Sequence, residues 1–159
     1  MINNDILRRL RYALDFSDAK MVAIFAQADA EVTREQLSAW LKKDEDPECV
    51  KFNDTVLATF LNGLINELRG KREGPPLKPE SHLTNNLILR KLKIALDLKS
   101  EDLLEMMDQT SVSISKHELS AFFRKPGHQH YRVCKDQVLR NFIDAMRLKY
   151  RDSDQFEKS

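Results

Sequence analysis

His117, His128 and His130, three of the four histidines, stand close to Cys134 in the chain. Imidazole and thiolate are the usual ligands of zinc, so a His-x-His step followed by a cysteine is a donor set to weigh first. Its spacing matches no standard site, and the equivalent places earlier in the chain hold Glu35, Asp46, Glu48 and Phe52. No metal site is expected. Cys49 and Cys134 would be nucleophiles only beside a base in an electropositive setting, and no Cys-His-Asn pattern accompanies them. The four glycines form neither GxGxxG nor GxxxxGK[ST]. The acids of 44–48 read as exposed-loop carboxylates rather than a paired acid and base. The expectation is a non-enzymatic protein with no catalytic residue and no cofactor.

The same stretch is the most basic in the chain. From Lys116 to Lys135 the one carboxylate is Glu118. Lysine and arginine supply most non-specific affinity for phosphate backbones. Lys116, His117, Arg124, Lys125, His128, His130, Arg132 and Lys135 are therefore the candidate contacts to nucleic acid or another anion. A solvated helix face and its loop is the plainer reading of the same residues. A second basic group, Arg8, Arg9 and Arg11 with Arg90, Lys91 and Lys93, reads as surface charge opposite a core stripe. It would form one continuous strip only if the two helices that carry it lay side by side.

These residues sit on elements that occur twice. Residues 3–70 align with 85–152 without a gap, at a constant offset of 82. Asn3-Asn4 answers Asn85-Asn86, Ala13-Leu14-Asp15 answers Ala95-Leu96-Asp97, and Leu37-Ser38-Ala39 answers Leu119-Ser120-Ala121. A period of this kind marks a duplicated structural unit. Each copy reads as four helices. In the first, Ile6, Leu7, Leu10, Ala13 and Leu14 recur at helical spacing over 5–15, with Asn3 or Asn4 as N-cap. The second covers 18–28 and is capped by Ser17 or Asp18. The third is marked by capping boxes, Thr33 with Gln36 and Ser115 with Glu118, each preceded by an apolar staple residue. Trp40 and Phe122 are read as large aromatics at one core position. The fourth helix is the longest, over 54–69 and 136–151, with Gly70 placed to end its first copy. The second and third helices, joined by a turn at 29–32, have helix-turn-helix lengths.

The fold class expected is thus all-α: two tandem copies of a four-helix repeat with helix-turn-helix-like elements, packed on a shared core. The domains read as repeat 1 over 3–70, a proline-rich linker over 71–84, repeat 2 over 85–152 and a flexible tail over 153–159. A lone repeat of this size would be marginal, which favours the shared core.

The repeated block NNDILRRLRYALD…VTREQLSAWLKK and NNLILRKLKIALDL…SKHELSAFFRKPGH resembles the YehS-like family of uncharacterised bacterial duplicated-helical-domain proteins. The resemblance implies a duplicated all-helical, cytosolic protein with no established activity, and so no catalytic residues to carry over.

Net charge is +1 over 159 residues, so no global field draws the chain to nucleic acid or membrane. Acidic side chains outnumber basic ones in residues 1–74, and the balance reverses in 75–159. Two cysteines at non-equivalent positions, with no apolar leader, point to a reducing cytoplasm. No stretch reaches the ~18 apolar residues of a spanning helix, and no membrane association is expected. The leading functional expectation is a module that binds a protein partner through a pseudo-two-fold helical surface. The alternative is a nucleic-acid-binding protein that uses helix three and the basic loop of repeat 2. Oligomeric state is not legible.

Overall fold

A computed structural model describes residues 1–152. The expected flexible tail, with the aromatic Phe156, lies outside the described residues. Eight α-helices and no strand occur among the described residues: α1 Asn3–Leu14, α2 Asp18–Gln27, α3 Arg34–Leu41, α4 Asp54–Arg69, α5 Asn85–Ala95, α6 Ser100–Asp108, α7 Lys116–Phe122 and α8 Asp136–Met146. A π-helical turn, Arg147–Arg151, continues α8.

Local chemistry explains most helix ends. Ser17 accepts from the Lys20 N–H and starts α2. Both expected capping boxes form: Thr33 with Gln36 opens α3, and Ser115 with Glu118 opens α7. Gly70, at φ 91°, ends α4 in a conformation that side chains resist. Asp15 and Asp97 are left-handed, at φ 56° and 53°, and close the first helix of each copy. Short polar side chains tolerate this region best, which explains why the Ala-Leu-Asp step is repeated.

The expectation that Asn3 or Asn4 caps α1 is not met. The N-cap is Ile2, with no side-chain bond, and Thr84 caps α5. The asparagines reach across the repeat instead. Asn4 Nδ2 donates to the carbonyls of Trp40 and Val50, each at 2.9 Å. Asn86 Nδ2 donates to the equivalent carbonyls of Phe122 at 3.0 Å and Arg132 at 2.7 Å, and Asn86 Oδ1 accepts from the Cys134 N–H at 2.9 Å. Buried amides of this kind are held by full hydrogen bonding.

The two repeats pack reciprocally. In repeat 1, α4 lies on α2 of its own repeat and on α5 of the other. In repeat 2, α8 and its π turn lie on α1, and α8 also packs on α6. One apolar cluster runs through both copies, from Leu7 and Phe25 to Leu92, Phe142 and Met146. The cross-repeat polar contacts obey the same two-fold relation. Arg69 pairs with Asp97 at 3.3 Å, and its equivalent Arg151 pairs with Asp15 at 2.8 Å. Asp54 accepts from the Leu83 N–H at 2.8 Å, and its equivalent Asp136 accepts from the amino group of Met1.

This packing decides the conditional reading of a basic strip and corrects the expectations for Lys91 and Trp40. The first helices do not form one basic strip, because α1 is covered by α8 and the π turn while α5 is covered by α4. Lys91, read as surface charge, is 7% exposed. Its ammonium donates to Asn62 Oδ1 at 2.6 Å and pairs with Glu80 of the linker at 3.1 Å. The equivalent contact in the other half is Arg9 with Asp144 at 4.0 Å. Where repeat 2 has a carboxylate, repeat 1 has the neutral Asn62, and the linker supplies the charge that a buried ammonium requires. Trp40 is only partly buried, at the rim of the core. It stacks obliquely on Phe25 at 5.7 Å and Phe52 at 5.3 Å, whereas Phe122 is buried at the matching position.

Candidate functional site

The basic stretch of repeat 2 comprises α7 and the loop that follows it. The capping box fixes the start of α7, and it occupies the single carboxylate of the stretch: Glu118 accepts from the Ser115 N–H at 3.3 Å. The loop folds back in consecutive turns. The His128 N–H donates to the Lys125 carbonyl at 2.9 Å, the Tyr131 N–H to His128 at 3.0 Å, and the Arg132 N–H to Ala121 on α7 at 3.2 Å. Asn86 then clamps both the end of α7 and Arg132 from below. The loop is thus pinned at its base by a buried side chain while its charged tips stay in water.

All eight candidate side chains, Lys116, His117, Arg124, Lys125, His128, His130, Arg132 and Lys135, are exposed. None of them makes an ion pair among the described residues. The structure brings His117, Arg124, His130 and Arg132 around one shallow groove of about 370 Å³, with Glu118 and Ser120 in its wall. Lys116, Lys125, His128 and Lys135 lie outside that groove. The His128 and His130 rings are 5.5 Å apart, and the His130 N–H donates to His128 Nδ1 at 3.0 Å.

Cys134 is wholly buried, and burial pushes its thiol up to about 12, with Asp136 adding to the effect. A thiol so placed stays protonated at neutral pH, and the thiolate is the reactive and metal-binding form. Cys49 donates to the Lys42 carbonyl at 3.3 Å. No group of three or more metal-type ligands occurs among the described residues.

The matching surface of repeat 1 has the opposite electrostatics. Asp44 pairs with Arg8 at 2.7 Å, Glu48 lies 3.9 Å from Lys42, and Asp46 accepts from the Glu48 N–H. Sequence reading found the charged residues of the site because charge is legible residue by residue. It missed Asn86, the side chain that holds the site together. The signal was present in the repeated Asn-Asn pair but resembled a helix cap.

No helix among the described residues is long and apolar enough to cross a membrane. Comparison with known proteins agrees with the architecture. The chain matches the family described as "Protein of unknown function (DUF1456)" twice, over residues 3–70 and 85–152. It is 42% identical over 147 residues to a protein of Escherichia coli (strain K12) named "Uncharacterized protein YehS", an alignment that covers 92% of this chain and 94% of that one. The resemblance read from the repeated block is borne out. No solved structure matches the chain significantly.

Proposed function

We propose that this chain, which belongs to the DUF1456 family of proteins of unknown function, is a non-enzymatic binding module whose α7 and following loop contact the phosphate backbone of nucleic acid. The observation that carries the reading is the asymmetry between equivalent surfaces. In repeat 2, eight exposed basic and imidazole side chains surround α7 with no ion pair among the described residues. In repeat 1 the loop of the same surface carries Asp44, Glu45, Asp46 and Glu48, with Glu48 3.9 Å from Lys42 and Asp44 paired with Arg8 of α1. Unpaired surface cations attract phosphate and release its counterions, which makes affinity depend steeply on salt. Arg124 and Arg132 on one groove suit bidentate contact to phosphate oxygens.

The test is fluorescence anisotropy with labelled duplex DNA and structured RNA. Replacing Arg124, Lys125 and Arg132 with alanine should weaken binding and flatten the slope of log K against log salt by about 2–3. Binding untouched by the triple substitution excludes this face. A protein partner is the second reading, favoured by Val50 and Val133. These apolar side chains are 51% and 66% exposed in the corresponding loops of the two repeats.

A further inference from the structure

A second groove, of about 890 Å³, runs between the C-terminal half of α4, residues 70–77 and the outer face of α5. It uses none of the eight side chains of the α7 face. Its chemistry emerges from comparison with the other copy. On α1, Arg8 is neutralised by Asp5 and Asp44, and Arg11 by Asp18. The equivalent cations on α5 are Arg90 and Lys93. The positions of the three acids hold Leu87, Pro126 and Ser100.

Arg90 and Lys93 therefore make no ion pair among the described residues. Arg90 donates to the Phe123 carbonyl at 2.6 Å, and the Lys93 ammonium lies 4.7 Å from the centre of the Phe123 ring. Arg72, from the linker wall, is exposed and also without an ion pair among the described residues. Five basic and two acidic side chains line the groove. Of the acids, Asp97 is taken by Arg69, which leaves Glu73. The same groove is also lined by apolar side chains. Ile94 is 45% and Leu77 63% exposed, and Phe123 continues the wall. On the other copy the position of Ile94 is Tyr12, whose ring is stacked by the Arg151 guanidinium at 4.0 Å.

We propose that this groove binds an amphipathic organic anion, with its charged head between Arg72, Arg90 and Lys93 and its apolar body against Ile94, Leu77 and Phe123. Uncompensated cations beside an apolar wall concentrate a positive potential that bulk water does not fully screen. A carboxylate, sulfonate or phosphate there gains charge-assisted hydrogen bonds. The apolar body buries surface that the protein otherwise leaves wet. The volume falls within the range of roughly 300–1,000 Å³ typical of small-ligand sites.

The full chain is titrated with anilinonaphthalene sulfonate, an aromatic sulfonate that brightens on leaving water, and with the uncharged phenylnaphthylamine. The sulfonate should bind saturably at one site, with the neutral dye weaker by about tenfold, the factor expected of one good charge contact. Lys93→Glu and Arg72→Glu should each weaken the sulfonate, and Lys51→Ala, at an exposed lysine outside both sites, should leave it unchanged. Arg72 lies in the linker, so its variant reads the groove even if Lys93→Glu disturbs the contact with Phe123. Circular dichroism confirms that the variants fold. The proposal is overturned by non-saturable emission, by equal affinity for the two dyes, or by binding that neither charge reversal weakens.

Discussion

Asn86 is the side chain on which the α7 face depends. It accepts from the Cys134 N–H and donates to the carbonyls of Phe122 and Arg132, so one buried amide fixes both ends of the loop. Replacing it with alanine leaves the buried Cys134 N–H and Phe122 carbonyl, and the half-buried Arg132 carbonyl, without that partner. Asn86→Ala should cost about 2–4 kcal/mol in denaturant unfolding, from the ~1–3 kcal/mol typical of each orphaned buried polar group, partly relieved by water. It should also weaken nucleic-acid binding, because Arg132 loses its anchor. A loss below about 0.5 kcal/mol, the scale of an ordinary surface change, would show that the clamp is not structural. The sequence displayed this residue as half of a repeated pair but concealed its role. An asparagine before a helix reads as a cap, whereas its partners lie 36, 46 and 48 residues away. Contacts at that separation have no periodic signature.

Among the elements, α2 packs most extensively on α4, and Gly63 permits the close approach. A Cβ there would sit 2.0 Å from the Ile24 carbonyl oxygen. That atom is backbone and cannot rotate away. Gly63→Ala should therefore cost about 3 kcal/mol by overpacking, despite alanine's better helix propensity. A neutral or stabilising result would mean that α2 and α4 do not approach this closely. Repeat 2 has Ala145 at the equivalent place, and α6 packs less extensively on α8 than α2 does on α4. The helices themselves were legible. Periodic apolar positions and capping boxes predict all eight, and both boxes are observed. Less legible was which helix covers which. Lys91 and Arg9 fall on the polar face when each repeat is read alone, yet α4 and the linker bury Lys91. Amphipathic pattern reports a helix's faces but not a second copy lying across one of them.

Across the whole molecule, the duplication is held by reciprocal contacts, and these give the fold a defined response to acid. Asp54 is held below the usual carboxylate range by the Asn3 amide first and the Leu83 N–H second. Asp136 is lowered first by its bond to the Met1 amino group and then by Asn85. A carboxylate with a lowered folded pKa stabilises the fold above its unfolded pKa, and that contribution is lost as pH falls through the folded value. Stability should therefore hold from neutrality to about pH 4 and decline below it. In Asp54→Asn with Asp136→Asn the decline should be shallower. Urea midpoints taken across this range check the prediction, and an unchanged slope in the double variant would contradict it.

The same two-fold relation supplies an internal control for the proposed activity. Lys42 and Lys43 of repeat 1 occupy the positions of Arg124 and Lys125 of repeat 2, so paired substitutions compare matched sites in one molecule. The decisive measurement is binding to labelled duplex DNA and structured RNA over a salt series, for Arg124→Ala with Lys125→Ala and for Lys42→Ala with Lys43→Ala. The repeat 2 pair should lower affinity and flatten the salt slope by about 2, while the repeat 1 pair should change neither. Equal losses from the two pairs, or no binding by the native chain even at low salt, would rule out the α7 face as a nucleic-acid contact.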